Sequence, residues 1–312
     1  MEGRNKESNK IGSGAVLVLT AFFILTAQAG AGEIEPRAYG NTPVGVNFLI
    51  VGYAHSEGGL STAAASPIKD AELRMETGVL AYARSLEMWG NPWKFDVIVP
   101  YSDLSGKAMV AGEHKERNVS GFHDPRFRLS VNFFGAPVLS VQEFAGWQQD
   151  MIIGASVQVS APLGQYDSDK LVNIGTNRWF VKPDIGISKA WGDFTLEFST
   201  GVIFFTDNED YFGGKKQEQD PVSTTQLHAM YNFGRGMWAA VSGTYDYGGR
   251  TTINGVRSDD SQSNWRAGAT FGVPVNRNNS VKLYANTGVS TRTGSDYNLI
   301  GIAWQYRWGG GL

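Results

Sequence analysis

The sequence predicts an all-β protein, a transmembrane up-and-down antiparallel β-barrel of about twelve strands. Three observations predict it. Apolar and polar residues alternate with period two through most of the chain, an export signal precedes that pattern, and connectors alternate between short and long.

Composition sets the bounds. The 312 residues include 39 Gly, 17 Phe, 12 Tyr and 9 Trp, yet mean hydropathy is −0.23. A single all-β barrel reaches this size without dividing into domains. A helical span needs roughly 20 consecutive apolar residues, and nothing after the N-terminal region approaches that, so any membrane crossing falls to strands. With no cysteine, disulfides, thiolate chemistry and Cys-based zinc sites are excluded. A net charge of −3 lacks the basic footprint of a nucleic-acid binder.

Residues 1–29 read as a secretory signal peptide. Arg4, Lys6 and Lys10 precede an apolar run from Ala15 to Ala27, and small-residue cleavage sites follow at Ala29 and Ala31. Cleavage after Ala29 leaves 30–312 as the barrel; a retained N-terminal anchor is the alternative reading.

Strand candidates begin near residues 44, 71, 92, 124, 151, 178, 194, 223, 236, 263, 280 and 297. In the fourth, Phe127, Leu129, Val131 and Phe133 alternate with Arg126, Arg128, Ser130 and Asn132; a strand sends the two sets to opposite faces. The last places Ile300, Ile302, Trp304, Tyr306 and Trp308 on one face, as a closing strand with an aromatic girdle would. Short links at 90–92, 191–193, 234–236 and 274–279 alternate with long, acidic ones at 56–70, 102–118, 162–177, 207–221 and 248–262. This is the asymmetry of periplasmic turns and external loops. Two connectors break it: 135–149 is long where a turn is expected, and the link near Gly294 is short. No acid spacing matches a calcium loop.

In lipid every backbone group must be satisfied internally, so a spanning sheet closes on itself and its polar face turns inward. That rule sends Arg74, Arg84, Lys94, Arg126, Arg128, Lys182, Arg266, Lys282, Arg292 and Arg307 to the lumen, with Glu76, Asp96, Asp184, Glu197 and Asp246. The expected interior is wet and mildly basic; the competing expectation is that these charges pair into a plug. Tyr82, Tyr284, Phe180 and Trp238 are lumen aromatics able to stack on an aromatic solute.

The run Ser120-Gly121-Phe122-His123-Asp124-Pro125-Arg126-Phe127-Arg128, closed by Gly135-Ala136-Pro137, resembles the bacterial transporter-like family named for a meta pathway of phenol degradation. So do Asn173-Ile174-Gly175-Thr176-Asn177-Arg178-Trp179, Lys182-Pro183-Asp184, Gly248-Gly249, Asn254-Gly255 and Trp304-Gln305-Tyr306-Arg307-Trp308-Gly309. His123 stands where the family pattern has glycine. The resemblance implies an outer-membrane barrel passing small, often aromatic or hydrophobic, molecules by passive diffusion. It implies no catalytic residue, metal or cofactor.

The expected partners are outer-membrane lipid, a small-molecule solute and, during insertion, the barrel-assembly machinery. The expected path is lined by Arg74, Arg84, Arg126, Arg128, Lys182, Asp184, Glu197, His228, Asp246, Arg266, Tyr284 and Arg307. Two other classes compete. A lipid-modifying barrel enzyme needs a Ser and a His on one face, for which His228 with Ser242 is the available pair. An adhesive barrel would act through its acidic loops.

Overall fold

A computed structural model of the chain describes residues 34–61, 68–110 and 112–312; the export signal predicted for residues 1–29 lies outside them. Seventeen strands form: β1 (Val46–Ser61), β2 (Ile68–Met88), β3 (Asn91–Val110), β4 (Glu113–Phe122), β5 (Arg126–Phe134), β6 (Met151–Ser160), β7 (Phe180–Trp191), β8 (Phe194–Phe205), β9 (Asn208–Tyr211), β10 (Lys215–Gln219), β11 (Val222–Gly234), β12 (Met237–Gly248), β13 (Thr251–Ile253), β14 (Val256–Arg257), β15 (Gln262–Pro274), β16 (Asn279–Thr291) and β17 (Gly294–Gly309).

The main sheet runs β2-β1-β17-β16-β15-β12-β11-β8-β7-β6-β5-β3-β4, and β2 also pairs with β3, which closes it. First and last strands meet antiparallel, from Val46 opposite Gly309 to Ser61 opposite Gly294. β4 and β5 lie end to end against β3, so they make one interrupted stave, and the closed barrel has 12. Closure removes the unpaired edges that a membrane would penalise.

Even residues of β5 to β7 and odd residues of β8 point inward, and the alternate residues form a greasy outer belt. Leu129, Ile185, Phe198, Leu227, Val241 and Ile300 are exposed on that belt. So large an apolar surface belongs in lipid rather than in water. Aromatics ring both rims, with Tyr101 against Phe122 and Tyr245 stacked on Trp265 at the loop end, and Trp191 against Phe194 and the Trp304, Tyr306, Trp308 stack at the turn end.

Four of the connectors expected to be loops contain strands, the first because β1 continues to Ser61 and β2 starts at Ile68 within 56–70. β3 and β4 extend as a hairpin through 102–118, and β9, β10, β13 and β14 form a separate four-stranded sheet within 207–221 and 248–262. Above the bilayer both faces of a ribbon meet water, so polarity stops alternating while backbone pairing continues. The two irregular connectors are as expected. The stretch between β5 and β6 is long and carries a short helix, Val141–Gly146, capped by Ser140 and Glu143; the link between β16 and β17 is only Arg292-Thr293. Gly135 begins the long stretch at φ +73, where a Cβ would sit 1.7 Å from the Met151 carbonyl oxygen, so only glycine fits.

Candidate functional site: the lumen and the segment that crosses it

The inner wall has two characters. From β3 round to β15 it is polar, presenting Asp96, Arg126, Arg128, Lys182, Asp184, Glu197, Gln226, His228, Asp246 and Arg266. Across the lumen, β1, β2 and β17 present Phe48, Ile50, Ala54, Ala81, Ala83 and Ala303.

The chain before β1 crosses between these walls. Arg128 donates to Glu35 from one side and to Asp96 from the other, at 3.2 Å to Oδ2. The backbone N–H groups of Ala38 and Tyr39 donate to the two Glu197 carboxylate oxygens at 3.0 and 3.4 Å, and the Tyr39 hydroxyl donates to Asp184. Lys94 and Asn132 donate to the carbonyls of Ala38 and Tyr39, both at 3.3 Å. Two glycines make room for the Tyr39 ring: a Cβ on Gly186 would lie 2.2 Å from it and one on Gly154 2.7 Å. The segment then leaves the lumen through the Val44 N–H, which donates to the Leu139 carbonyl at 2.9 Å.

Electrostatics reinforce this seat. Burial alone would raise the Glu35 carboxyl, but the Arg128 guanidinium, with Lys182 and Lys94 beyond it, overrides burial and holds it at about 2. Glu35 is therefore an anion at neutral pH, and the segment is ionically latched to the wall. Beside it remains a gap of about 20 Å³ between Tyr39, Arg128, Lys182 and Asp184, about the space of one water. On the turn side of the segment a vestibule of about 770 Å³ opens, lined by Arg37, Phe48, Ile50, Lys94, Trp147, Trp238 and Arg307 among others. The wall around the segment is thus ionic, and the gap left beside Tyr39 is narrow.

Most of the expected path residues face inward. Arg128, Lys182, Asp184 and Glu197 gather around the crossing segment, with His228 on the next strand and Arg126 at the loop end of β5. Asp246 and Arg266 follow on β12 and β15, Arg266 donating to Asn286 and to the Tyr297 carbonyl at 2.6 and 2.9 Å. Tyr284 lies over Gly301, whose Cβ would be 2.4 Å from its ring, and Arg307 lines the vestibule.

Arg74 and Arg84 do not face inward. They share the outer face of β2 with Leu80, which is 54% exposed, while Ala81, Ala83 and Ser85 turn inward. Glu76 and Tyr82 go with them; Glu76 accepts from the Tyr53 hydroxyl at 2.5 Å and Tyr82 packs 6.2 Å from Trp308. The physical reason is that the inner face of β2 is small and apolar, so polarity no longer marks the inside. Arg74 and Arg84 escape the cost of lipid because they lie beyond the apolar band, toward the loops and the turns respectively. Arg292 belongs to the loop end, where it donates to Asp259 at 2.9 Å.

The two motif runs form one unit. The Asp124 carboxylate, 1% exposed, accepts from the N–H groups of Gly164 and Thr176 at 2.8 and 2.7 Å and from the Thr176 hydroxyl at 2.6 Å. The break between β4 and β5 is where the 161–179 loop docks, through Ala161 N–H to the Pro125 carbonyl and Gln165 N–H to the Phe122 carbonyl. Arg178 of the same run donates to Gln219 and stacks on Phe205 at 4.4 Å; burial lowers its guanidinium to about 10. His123 points away from Asp124 and meets Ser102 at 2.6 Å. His228 Nδ1 does meet Ser242 Oγ at 2.8 Å, but both are buried in the inner wall, and the other ring nitrogen meets Gln226 rather than a carboxylate.

Sequence reasoning missed the crossing segment Glu35–Tyr39. A signal was present, since glycine inside a strand marks close approach of another group, and Gly154 and Gly186 are such glycines.

A closed sheet with a lipid-facing apolar belt and an ionic interior is an outer-membrane β-barrel. Residues 56–306 match the family described as "Putative MetA-pathway of phenol degradation", and the chain belongs to it. In fold it is similar to the COG4313 outer membrane channel from Pseudomonas putida F1, with a TM-score of 0.76 and 20% identity over 88% of this chain and 100% of that one. Weaker likenesses include the β domain of the Bordetella autotransporter BrkA, with a TM-score of 0.49 and 8% identity over 84% and 99% of the two chains. Another is the transport unit of Escherichia coli AIDA-I, with a TM-score of 0.46 and 8% identity over 93% and 95%. No curated protein matches the sequence.

Proposed function

We propose that the protein is a passive, non-enzymatic outer-membrane channel for small organic molecules. The observation that carries this reading is the two-sided lumen: a charged wall bridged by a short segment faces a wall of Phe48, Ile50 and alanines across a vestibule of about 770 Å³. A wholly ionic pore would suit only hydrated ions, whereas this interior offers polar orientation and apolar contact together, as sites for small organic ligands do. Arg126, Arg128, Lys182, Asp184, Glu197, His228, Asp246, Arg266, Tyr284 and Arg307 line the proposed path. Membership of the family supports the reading, and the fold likeness to a protein described as an outer membrane channel agrees with it.

The direct test is reconstitution. Liposomes bearing the protein should swell in small aromatic solutes, and planar bilayers should show conductance steps; absence of both overturns the channel. The same reading has residues 1–29 removed on export and the barrel-assembly machinery inserting the remainder. An intact mass of outer-membrane protein beginning at Gly30 or Gly32 supports that processing, and a retained N-terminus contradicts it.

A further inference from the structure

We propose that the vestibule at the turn end is a binding site for aryl carboxylates, with the ring against Trp238, Trp147 and Phe48 and the carboxylate on Arg37, Lys94 and Arg307. This deepens the channel reading and rests on it for its physiological use.

The cavity comes first. Its volume of about 770 Å³ lies within the roughly 300 to 1,000 Å³ of small-molecule sites, and it far exceeds the one-water gap beside Tyr39. Its lining is mixed, since aromatic and aliphatic side chains from β1, β12 and the β5–β6 connector meet basic side chains from β3, β17 and the crossing segment.

Charge decides the ligand. The Arg37 guanidinium lies 5.2 Å from the centroid of Trp238. Lys94 donates to the Ala38 carbonyl at 3.3 Å, and Arg307 donates to the Arg277 carbonyl at 2.7 Å. Each of the three cations is thus engaged by a ring or a backbone carbonyl, and among the described residues none forms an ion pair with a carboxylate. Of the acids that share the lining, Asp96 holds Arg128 and Asp193 sits in the Gly192-Asp193 turn at the rim, while Glu197 accepts the Ala38 and Tyr39 N–H groups and attracts Arg37 and Lys94 only from beyond ion-pair distance. Cations in a partly desolvated cavity focus a positive potential, and guanidinium groups suit the planar fork of a carboxylate. A neutral aromatic would use the rings alone, and a short aliphatic acid the cations alone.

The test is calorimetric titration of the whole mature protein in detergent with benzoate, benzyl alcohol and acetate at one ionic strength. Benzoate should bind at least about tenfold more tightly than either of the others, which corresponds to about 1.4 kcal/mol. Raising the salt should weaken it. Arg307→Gln and Trp238→Leu should each lower benzoate affinity several-fold, while benzyl alcohol should respond to Trp238→Leu alone. Equal affinity for benzoate and benzyl alcohol, or no response to Arg307→Gln in a protein that still migrates as a folded barrel, overturns the site. The two readings fail separately. Selective binding without conductance or swelling would leave the site and remove the channel; conductance with unselective binding would do the reverse.

Discussion

Replacing Tyr39 by Phe removes one hydroxyl from the crossing segment and leaves its ring seated over Gly154 and Gly186. What disappears is the bond to Asp184, and a hydrogen bond to a charged group contributes about 1.5 to 3 kcal/mol. At about 1.4 kcal/mol per factor of ten, the fraction of molecules with the segment out of the lumen should rise roughly 10- to 150-fold. Glu35→Gln tests the second anchor. Arg128 would keep Asp96 but lose its other carboxylate, for a change of similar size. Because both anchors belong to one network, the double replacement should give less or more than the sum of the singles. Single-channel recording reads the effect directly, as longer and more frequent large-conductance events. Wild-type open fractions in both single variants would refute the claim that this segment limits the lumen.

Gly186→Ala would place a methyl 2.2 Å from Tyr39, so the ring must leave; conductance should rise as in Tyr39→Phe while the barrel keeps its folded gel mobility. The latch should also respond to acid. The Glu35 carboxyl sits below its ordinary value of 4.5, at about 2, so its contribution is complete above 4.5 and is lost as pH falls from there toward 2. Open probability should climb across that window, and a flat profile down to pH 2 would contradict the latch. Asp124→Ala strips three hydrogen bonds from the 161–179 loop, at about 1 to 3 kcal/mol for the donors left behind; limited proteolysis should cut that loop faster, and unchanged cutting would deny Asp124 its anchoring role. For the enzyme alternative, neither the wild type nor His228→Ala should hydrolyse phospholipid, whereas hydrolysis abolished by that substitution would establish it.

Much of the architecture is legible in the residues because a barrel wall repeats one rule. Where the inner face is ionic and the outer face greasy, as in Arg126 to Phe133, Phe180 to Ile187 and Phe194 to Phe198, period-two alternation assigns both faces correctly. The rule fails on β2, since Ala81, Ala83 and Ser85 are as compatible with lipid as Leu80 and Tyr82. It also fails outside the bilayer, where β4, β9 and β10 pair without a polarity contrast to reveal them.

The candidate site divides the same way. The inward-facing charges from β5 to β8 follow from local spacing, but their partners do not. Asp124 meets Thr176 across 52 residues, and Tyr39 meets Asp184 across 145, separations over which no periodicity carries information.

The sequence alone therefore determines a closed, lipid-belted barrel and the charges on most of its inner wall, because those depend on residues two apart along one strand. Only the tertiary structure decides that the segment from Glu35 to Tyr39 turns back into the lumen, with a one-water gap beside it and a broad vestibule on its turn side. That outcome depends on carboxylates, guanidinium groups and glycine clefts brought together from separate strands by closure of the sheet.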